Sequence, residues 1–131
     1  MKSISGKNWE ELILNKRLVD KYGNDMYKLL SVVKDVNCNL GKTNIIGIVR
    51  GSKSKKIPQR YFNNKFYGSG KSIKLDWWKK LCGQLTDMKY IGTHAVTPTI
   101  YVPKITEKGK KFLSEYNYIE EEDKYDMDIK L

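Results

Sequence analysis

The clearest hydrophobic pattern in the chain lies between Asp76 and Tyr90. Four large apolar residues recur there at intervals of three or four: Trp78, Leu81, Leu85 and Met88. This spacing places them on one face of a helix. Asp76 can cap the N-terminus, because its carboxylate accepts a hydrogen bond from an amide of the first turn. The pattern predicts an amphipathic helix over residues 76–90 that contributes its apolar face to the core.

Two further helices are predicted nearer the N-terminus. Residues 1–23 carry a short apolar face and predict a leading helix, which is broken at Gly23. A second helix is predicted from Asp25 to Val36. Gly41 is expected to end it in a left-handed conformation, which glycine adopts readily.

The middle of the chain gives a weaker periodic signal. Residues 43–49, TNIIGIV, fit either a short helix or a strand, because seven residues do not separate the two periods. Residues 50–60 are polar and basic, and Pro58 limits any helix there. We expect a basic connection that leads to the helix at residues 76–90.

Beyond residue 90 the pattern changes to that of β-structure. The runs YIGTHAV and TIYVPKI are rich in β-branched and aromatic residues and are separated near Thr97 and Pro98. They predict a β-hairpin. Pro103 should lie on an exposed edge or near a strand end, because proline cannot donate a ladder hydrogen bond.

A closing helix is predicted over residues 106–116, weakened by Gly109 and packed through Phe112 and Leu113. The order of helix, helix, basic turn, helix, hairpin and helix is that of a winged helix. The predicted fold class is therefore α+β, mainly helical, with a three-helix core and a hairpin wing. Three parts are predicted along the chain: an N-terminal helical extension (1–23), a winged-helix domain (24–116) and an acidic C-terminal tail (117–131).

Charge is distributed very unevenly along this plan. Residues 42–80 hold eleven Lys and Arg against the single acid Asp76, a net charge of +10, while residues 112–131 carry a net −5. A block this one-sided is typical of a polyanion-binding surface, although a solvated basic face is the alternative. A membrane partner is disfavoured, because the lysines do not follow one helix with a broad apolar face. The acidic tail could aid solubility or fold over the basic face as a mimic of DNA.

The segment GSGKS at residues 68–72 suggests a nucleotide-binding loop, but the pattern does not fit. A phosphate-binding loop needs GxxxxGK followed by Ser or Thr, which would require glycine at position 65, where Lys65 stands. We therefore interpret these glycines as a tight turn before the helix. No nucleotide cofactor is predicted.

Catalytic and metal-binding patterns are not found in the sequence. Cys38 and Cys82 are too few for a disulfide scaffold or a four-cysteine zinc site, and we expect free thiols in a reducing, intracellular compartment. His94 is the only histidine and has no nucleophile or carboxylate cluster to work with. We predict a protein that is not an enzyme and that has no cofactor and no metal.

The segment RGSKSKK, residues 50–56, is the better candidate for phosphate contact. Arginine can grip a phosphate with two hydrogen bonds and a serine hydroxyl can donate a further one. A flexible basic loop is the alternative. The full set of candidate phosphate-binding residues is Arg50, Ser52, Lys53, Lys55, Lys71, Lys79 and Lys80.

Residues 25–116 resemble the RQC winged-helix domain of RecQ-type helicases. Five segments carry the resemblance in order: DMYKLLSVV, IVRGSKSKK, FYGSGK, DWWKKLCGQL and ITEKGKKFL. The resemblance favours a helix at residues 43–49 and implies structure-selective binding at duplex ends, forks and junctions. It also implies phosphate contacts from the RGS segment and the first turn of the WWK helix, which here are Arg50, Ser52 and Lys79.

The resemblance further implies that the wing tip can open a terminal base pair with an aromatic or other apolar side chain. The matching candidates are His94, Thr99, Ile100 and Tyr101. The family's zinc subdomain and ATPase lobes have no counterpart in this sequence. We therefore expect either a free-standing RQC-like protein or part of a larger one.

The leading hypothesis is a monomeric, structure-selective DNA-binding domain that acts in DNA replication, repair or unwinding. Its expected partners are forked or junction-containing DNA and a helicase or replication protein, in the nucleus or another DNA-containing site. Two alternatives stay open. One is a protein-interaction module for a helicase or replication partner. The other is a sequence-specific winged-helix transcription regulator with the helix at 76–90 in the major groove.

Overall fold

The computed structural model describes residues 6–120 and the side chains from Ile13 onward. The tail beyond Glu120 and the first five residues of the predicted extension lie outside the described residues. The elements in chain order are α1 (Gly6–Val36), α2 (Lys42–Arg50), a 3-10 helix (Gln59–Asn63), α3 (Leu75–Asp87), β1 (Ile91–Ala95), β2 (Tyr101–Ile105) and α4 (Glu107–Glu115). This is an α+β winged helix, as predicted from the sequence.

The first helix is two helices joined at a kink. Tyr22 has non-helical angles (φ −124°, ψ 17°), so the predicted break at Gly23 is displaced by one residue. Gly23 has a different role. A Cβ atom there would lie 2.5 Å from the ring of Tyr116, which follows α4. Glycine at this position therefore lets the end of α4 pack directly on the α1 backbone.

The chain reverses direction between α1 and α2 without a left-handed conformation at Gly41. Gly41 is extended (φ −79°, ψ 172°) and precedes α2, so its predicted left-handed cap is wrong. Asn37 and Cys38 take the left-handed conformation instead (φ 50° and 67°). Asparagine tolerates this region better than most residues.

The segment at residues 43–49 lies in α2, which settles the choice between helix and strand in favour of helix. Its apolar residues pack into the core, and four are buried: Ile45, Ile46, Ile48 and Val49. Gly51 follows in a left-handed conformation (φ 73°), and its N–H caps the carbonyl groups at the end of the helix. This sharp stop directs the next residues away from the helix axis.

Helix α3 contains the predicted apolar face but has different ends. It begins at Leu75 with Lys74 as its N-cap residue, so the predicted cap at Asp76 is wrong. Asp76 lies in the first turn, where its negative charge interacts favourably with the positive end of the helix dipole. The helix ends at Asp87, three residues before Tyr90, because Lys89 takes a positive φ of 70°.

The hairpin is antiparallel, with Ile91 paired to Ile105 and Ala95 paired to Tyr101. Pro103 lies in the middle of β2, opposite Thr93. It is tolerated there because both strands of a two-stranded sheet are edges. The buried end of the wing begins at Ile91, and the rest of β1 is progressively more exposed.

Helix α4 closes the core beneath the wing. The Thr106 hydroxyl caps it by accepting a hydrogen bond from the Gly109 N–H at 3.0 Å, and it donates its own proton towards the Lys89 carbonyl at 2.6 Å. Phe112 is buried and meets Tyr90 edge-on, with ring centroids 5.8 Å apart. The predicted core contact Leu113 is half-buried.

Two helical glycines provide a test of this packing. A Cβ on Gly109 would lie 2.5 Å from the Tyr90 carbonyl oxygen, whereas a Cβ on Gly83 in α3 would meet nothing within 4 Å. We expect Gly109→Ala to lower the free energy of unfolding by about 1–3 kcal/mol through overpacking. Gly83→Ala should raise it by about 0.5–1 kcal/mol, because alanine loses less entropy in a helix.

Urea denaturation of both variants and of the parent protein measures the two effects. Stabilisation by Gly109→Ala would contradict the close approach of α4 to Tyr90.

Candidate nucleic-acid interface

Two turns that are distant in sequence lie against each other at the centre of the basic block. We call residues 50–52 and 68–70 the paired turns. Gly68 N–H donates to the Ile48 carbonyl at 2.9 Å, and Gly70 N–H donates to the Val49 carbonyl at 2.8 Å. Gly51 and Gly68 both have positive φ, and a Cβ on Gly51 would lie 3.0 Å from the Gly68 Cα. A side chain at Gly51 would therefore press against the Gly68 backbone, and at both positions the positive φ disfavours any residue other than glycine.

Trp78 connects the paired turns to helix α3. Its side chain is fully buried, and its Nε1–H donates to the Gly70 carbonyl at 3.0 Å. A Cβ on Gly70 would overlap the Trp78 ring. The apolar face predicted from the sequence thus has a second role, since it fixes the start of α3 relative to the paired turns.

Arg50 is the last residue of α2 and is half-buried beside the paired turns. Its Nε donates to the Ile73 carbonyl at 3.1 Å, which fixes the orientation of the guanidinium group. Among the side chains described, from residue 13 to residue 120, no carboxylate forms an ion pair with it. The terminal nitrogens of a planar guanidinium held in this way can donate two parallel hydrogen bonds to two oxygens of one phosphate.

Ser52 is held through its backbone on both sides. Its N–H donates to the Gly47 carbonyl at 2.8 Å, and its own carbonyl accepts the Tyr67 hydroxyl at 2.8 Å. The Ser52 hydroxyl oxygen accepts from the Ser54 N–H at 3.2 Å. Since the oxygen acts here as an acceptor, the hydroxyl proton can be donated to a bound anion.

The five predicted lysines lie at four places, and all are exposed. Lys53 and Lys55 follow Ser52, and Lys71 follows the turn at residues 68–70. We call Arg50, Ser52, Lys53, Lys55 and Lys71 the basic turn surface. Lys79 follows Trp78 in α3. Lys80 lines a groove of about 400 Å³ between α1 and α3, with Arg17 and Trp77.

The wing tip presents apolar side chains to solvent. Val96, Ile100 and Tyr101 are 56%, 55% and 60% exposed. Val96 was not among the predicted wing-tip residues. An apolar residue directly before the Thr97–Pro98 turn was the available signal, but the strand pattern assigned Val96 to the hairpin stem.

The turn that carries these side chains is closed by its own hydrogen bonds. The Thr97 hydroxyl oxygen accepts from the Ile100 N–H at 3.0 Å, and the Val96 N–H donates to the Ile100 carbonyl at 2.8 Å. Thr99 lies in the same turn, and its N–H donates to the Thr97 hydroxyl at 3.3 Å. His94 is exposed on β1, opposite Val102. The tip is therefore an ordered, partly apolar projection.

Cys82 lies on α3 and is a buried free cysteine. Burial raises the pKa of the Cys82 thiol, and nearby Lys42 opposes this only in part, so the buried thiol is protonated at neutral pH. Among residues 6–120, no three His, Cys, Asp or Glu residues are grouped to hold a metal ion. In the same part of the chain, no helix has the length and apolarity needed to cross a membrane.

Comparison with known proteins identifies the family. A family model described as the RQC domain matches residues 22–126. A putative ATP-dependent RNA helicase of Acanthamoeba polyphaga mimivirus is 28% identical over 108 residues, which cover 78% of this chain and 20% of that protein. The bifunctional 3'-5' exonuclease/ATP-dependent helicase WRN of Mus musculus is 29% identical over 103 residues, which cover 72% of this chain and 7% of that protein. The chain thus spans a fifth or less of the length of these relatives.

Removal of the Tyr67 hydroxyl group tests whether its hydrogen bond holds Ser52 in place. Tyr67→Phe removes the hydrogen bond to the Ser52 carbonyl but keeps the ring packed against Phe62, 4.9 Å away. We expect a loss of about 0.5–1.5 kcal/mol in the free energy of unfolding and faster amide exchange in the loop after Gly51. Chemical denaturation and hydrogen exchange measure these effects.

The matched control is Tyr101→Phe on the exposed wing, where the hydroxyl is 3.4 Å from the Pro98 carbonyl oxygen. It should change stability by less than about 0.5 kcal/mol. Equal effects of the two substitutions would contradict a specific role for Tyr67.

Proposed function

This chain belongs to the RQC domain family, whose members are non-catalytic DNA-binding domains of RecQ-type helicases, and on that premise we propose that it binds DNA structure-selectively. The proposed targets are duplex ends, forks and junctions. Contact is made through backbone phosphates, and the wing meets the terminal base pair.

The basic turn surface is the observation that carries this proposal. Backbone hydrogen bonds from the turn at residues 68–70 to the last turn of α2 hold Arg50, Ser52 and Lys71 on one rigid support. A fixed guanidinium, a hydroxyl donor and a mobile ammonium group together match the oxygens of a phosphate. Because the support is rigid, little conformational entropy is lost when a phosphate binds.

Lys79 and the loop lysines Lys53 and Lys55 extend this proposed contact along a nucleic-acid backbone. Phosphate contacts fix the position and orientation of a duplex but carry no information about base sequence. This favours recognition of DNA shape over a sequence-specific regulator. Salt should weaken the binding strongly, because each neutralised phosphate releases counterions.

The wing tip supplies the selectivity in this proposal. Apolar surface is exposed there by Val96, Ile100 and Tyr101. Phosphates do not bind apolar surface, but the flat face of a terminal base pair can pack against it. Tyr101 can stack on a base, an interaction worth about 1–3 kcal/mol in single-strand binding. Continuous duplex offers no such face, so ends and forks should bind more tightly.

The relatives carry helicase names, but this chain spans only a small part of each. We propose that the domain supports a helicase motor by holding the duplex at the point of opening, in the same polypeptide or in a separate one. One relative is named as an RNA helicase, so an RNA duplex belongs among the ligands tested.

Titration of forked DNA, blunt DNA, single-stranded DNA and duplex RNA at two salt concentrations tests the proposal. We expect the tightest binding to forked DNA and a slope of log K against log salt of about −0.9 per phosphate contacted. Equal affinity for all four ligands, or binding that salt does not weaken, would contradict it.

Variants at the proposed contacts sharpen this test. Arg50→Ala and Lys79→Ala should each weaken binding by about 1 kcal/mol, roughly fivefold, and to the same extent for every base sequence. Lys34→Ala is the matched control, because Lys34 is exposed on α1 and outside the basic block. The affinity of this variant should stay within about twofold of the parent, since Lys34 is not a proposed phosphate contact and salt screens its charge. Loss that depended on base sequence would favour the regulator alternative.

The wing is tested separately through the terminal base pair. We expect Ile100→Ser and Val96→Ser to keep most of the affinity for forks but to reduce fluorescence of a 2-aminopurine at the junction, which rises when bases unstack. Thr93→Ser, within β1, is the control and should leave the signal unchanged. An unchanged signal in both wing-tip variants would contradict a wedge at these residues.

A further inference from the structure

The groove between α1 and α3 is built from one face of each helix. Its lining residues follow the helical period from Leu14 to Tyr22 on α1 and from Trp77 to Gln84 on α3. These stretches extend over about 12 Å and about 10 Å, because an α-helix rises about 1.5 Å per residue. The groove has a volume of about 400 Å³, and its length matches about two turns of a further helix.

The floor of the groove is apolar and largely aliphatic. Leu14 is a large apolar side chain that is 53% exposed, and the half-buried Leu18 and Met88 line the groove with it. Trp77 meets Tyr22 edge-on, with ring centroids 5.5 Å apart, and this contact joins the two helices at the groove. Because water covers this apolar surface in the free domain, a ligand that buries it gains free energy.

Three cations line the same groove: Arg17 and Lys21 on α1 and Lys80 on α3. All three are exposed, and no acidic residue is among the described residues that line the groove. Within the described side chains, from residue 13 to residue 120, no carboxylate forms an ion pair with any of the three. Since both helices carry cations, an occupant with carboxylates on both flanks of an apolar stripe is complementary to the groove.

The groove is separate from the basic turn surface. Trp78 donates to the Gly70 carbonyl of the paired turns, whereas the preceding residue, Trp77, packs on Tyr22 of α1. Neighbouring residues of a helix point about 100° apart, so the two surfaces lie on different sides of α3. Lys80 lines the groove, and no residue of the paired turns does. Binding in the groove therefore does not require the proposed phosphate contacts.

A protein segment suits this groove better than a nucleic acid does. Proteins hold single strands largely by stacking bases on aromatic faces, but Trp77 is half-buried and meets both Tyr22 and Trp78 edge-on. The aliphatic side chains of Leu14 and Leu18 offer no aromatic face. Two neighbouring helices instead leave a groove that accepts the apolar ridge of a third helix, with helix axes about 8–10 Å apart.

We propose that the groove between α1 and α3 binds an acidic amphipathic helix of a partner protein. Apolar side chains at positions i, i+3 or i+4, and i+7 of that helix fill the floor. Carboxylates on both sides of this stripe pair with Arg17, Lys21 and Lys80. A helix of two or three turns is only marginally stable alone, so the segment folds as it binds or already belongs to a folded partner.

A synthetic helical peptide of about 16 residues, with leucine along one stripe and glutamate on both flanks, tests this proposal. A scrambled peptide of the same composition has the same charge but no apolar stripe. We expect the scrambled peptide to bind the full chain at least about tenfold more weakly in fluorescence anisotropy, because it cannot bury the floor of the groove. Equal binding of the two peptides would show attraction by net charge alone and would overturn the proposal.

The floor is tested by a pair of neighbouring apolar residues. Leu14→Ser should weaken binding of the helical peptide about fivefold or more, and because Leu14 is exposed the domain should still fold. Ile13→Ser is the matched control, since Ile13 is 39% exposed but does not line the groove. Its effect should be less than about twofold. Equal losses in the two variants would place the peptide elsewhere.

The cations are tested by two double variants with the same net charge. Arg17→Glu with Lys80→Glu should weaken binding of the helical peptide about tenfold or more, because both flanks of the groove then repel its carboxylates. Lys16→Glu with Lys34→Glu is the control, since both lysines are exposed on α1 and outside the groove. It should weaken binding less than about threefold, through screened long-range charge. Equal losses in both double variants would contradict specific pairing in the groove.

Chemical shifts of the parent protein identify the occupant. The indole N–H of Trp77 and the amide of Leu14 should shift with the helical peptide, while the amides of Ser52 and Lys71 stay unchanged. Shifts of Trp77 and Leu14 on dilution of the free protein would indicate a second copy in the groove, and shifts with single-stranded DNA alone would indicate nucleic acid. Either result would overturn the proposal. The peptide titrations contain no nucleic acid, so their outcome is independent of DNA binding.

Discussion

Direct contact between two backbones, at Gly51 and Gly68, is the constraint on which the candidate interface depends. A Cβ on Gly51 would lie 3.0 Å from the Gly68 Cα, and both residues have the positive φ that glycine adopts without strain. Hydrogen bonds from Gly68 and Gly70 to the last turn of α2 then hold the turns together. The position of Arg50, the path of Ser52 and the hydrogen bond from Trp78 of α3 to the Gly70 carbonyl all depend on this contact.

The region around the paired turns also carries a strong positive charge. Residues 42–80 carry a net charge of +10. Of the lysines and arginines in this block, only Lys65 forms an ion pair with a carboxylate of residues 6–120. The basic field is therefore largely uncompensated by the folded domain. Rigid donors and an uncompensated field together favour a polyanion with regularly spaced charges.

Local patterns predicted the elements well and their boundaries less well. The spacing of Trp78, Leu81 and Leu85 gave the buried face of α3, because that signal depends only on neighbouring residues. The cap at Asp76 and the left-handed Gly41 were wrong, since Lys74 and Asn37 take those roles through tertiary packing that no short pattern encodes.

The candidate site depended even more on non-local contacts. The glycines at residues 68–70 were recognised as a turn, but their packing against Gly51 joins residues 17 positions apart and has no sequence period. Gly109 was interpreted only as a weak point of a helix, although it permits close contact with Tyr90. Val96 was missed because its exposure depends on where the hairpin turns. The phosphate-binding roles of Arg50, Ser52 and the lysines stay predictions.

The most direct test of structure-selective binding is amide chemical-shift mapping with two DNA ligands of equal length, a forked duplex and a covalently closed duplex without ends. Signals of Ser52 and Lys71 should shift with both ligands, because both present phosphates. Signals of Val96, Ile100 and Tyr101 should shift only with the fork. Identical shifts with the two ligands, or shifts confined to the groove between α1 and α3, would contradict recognition of DNA structure by the paired turns and the wing.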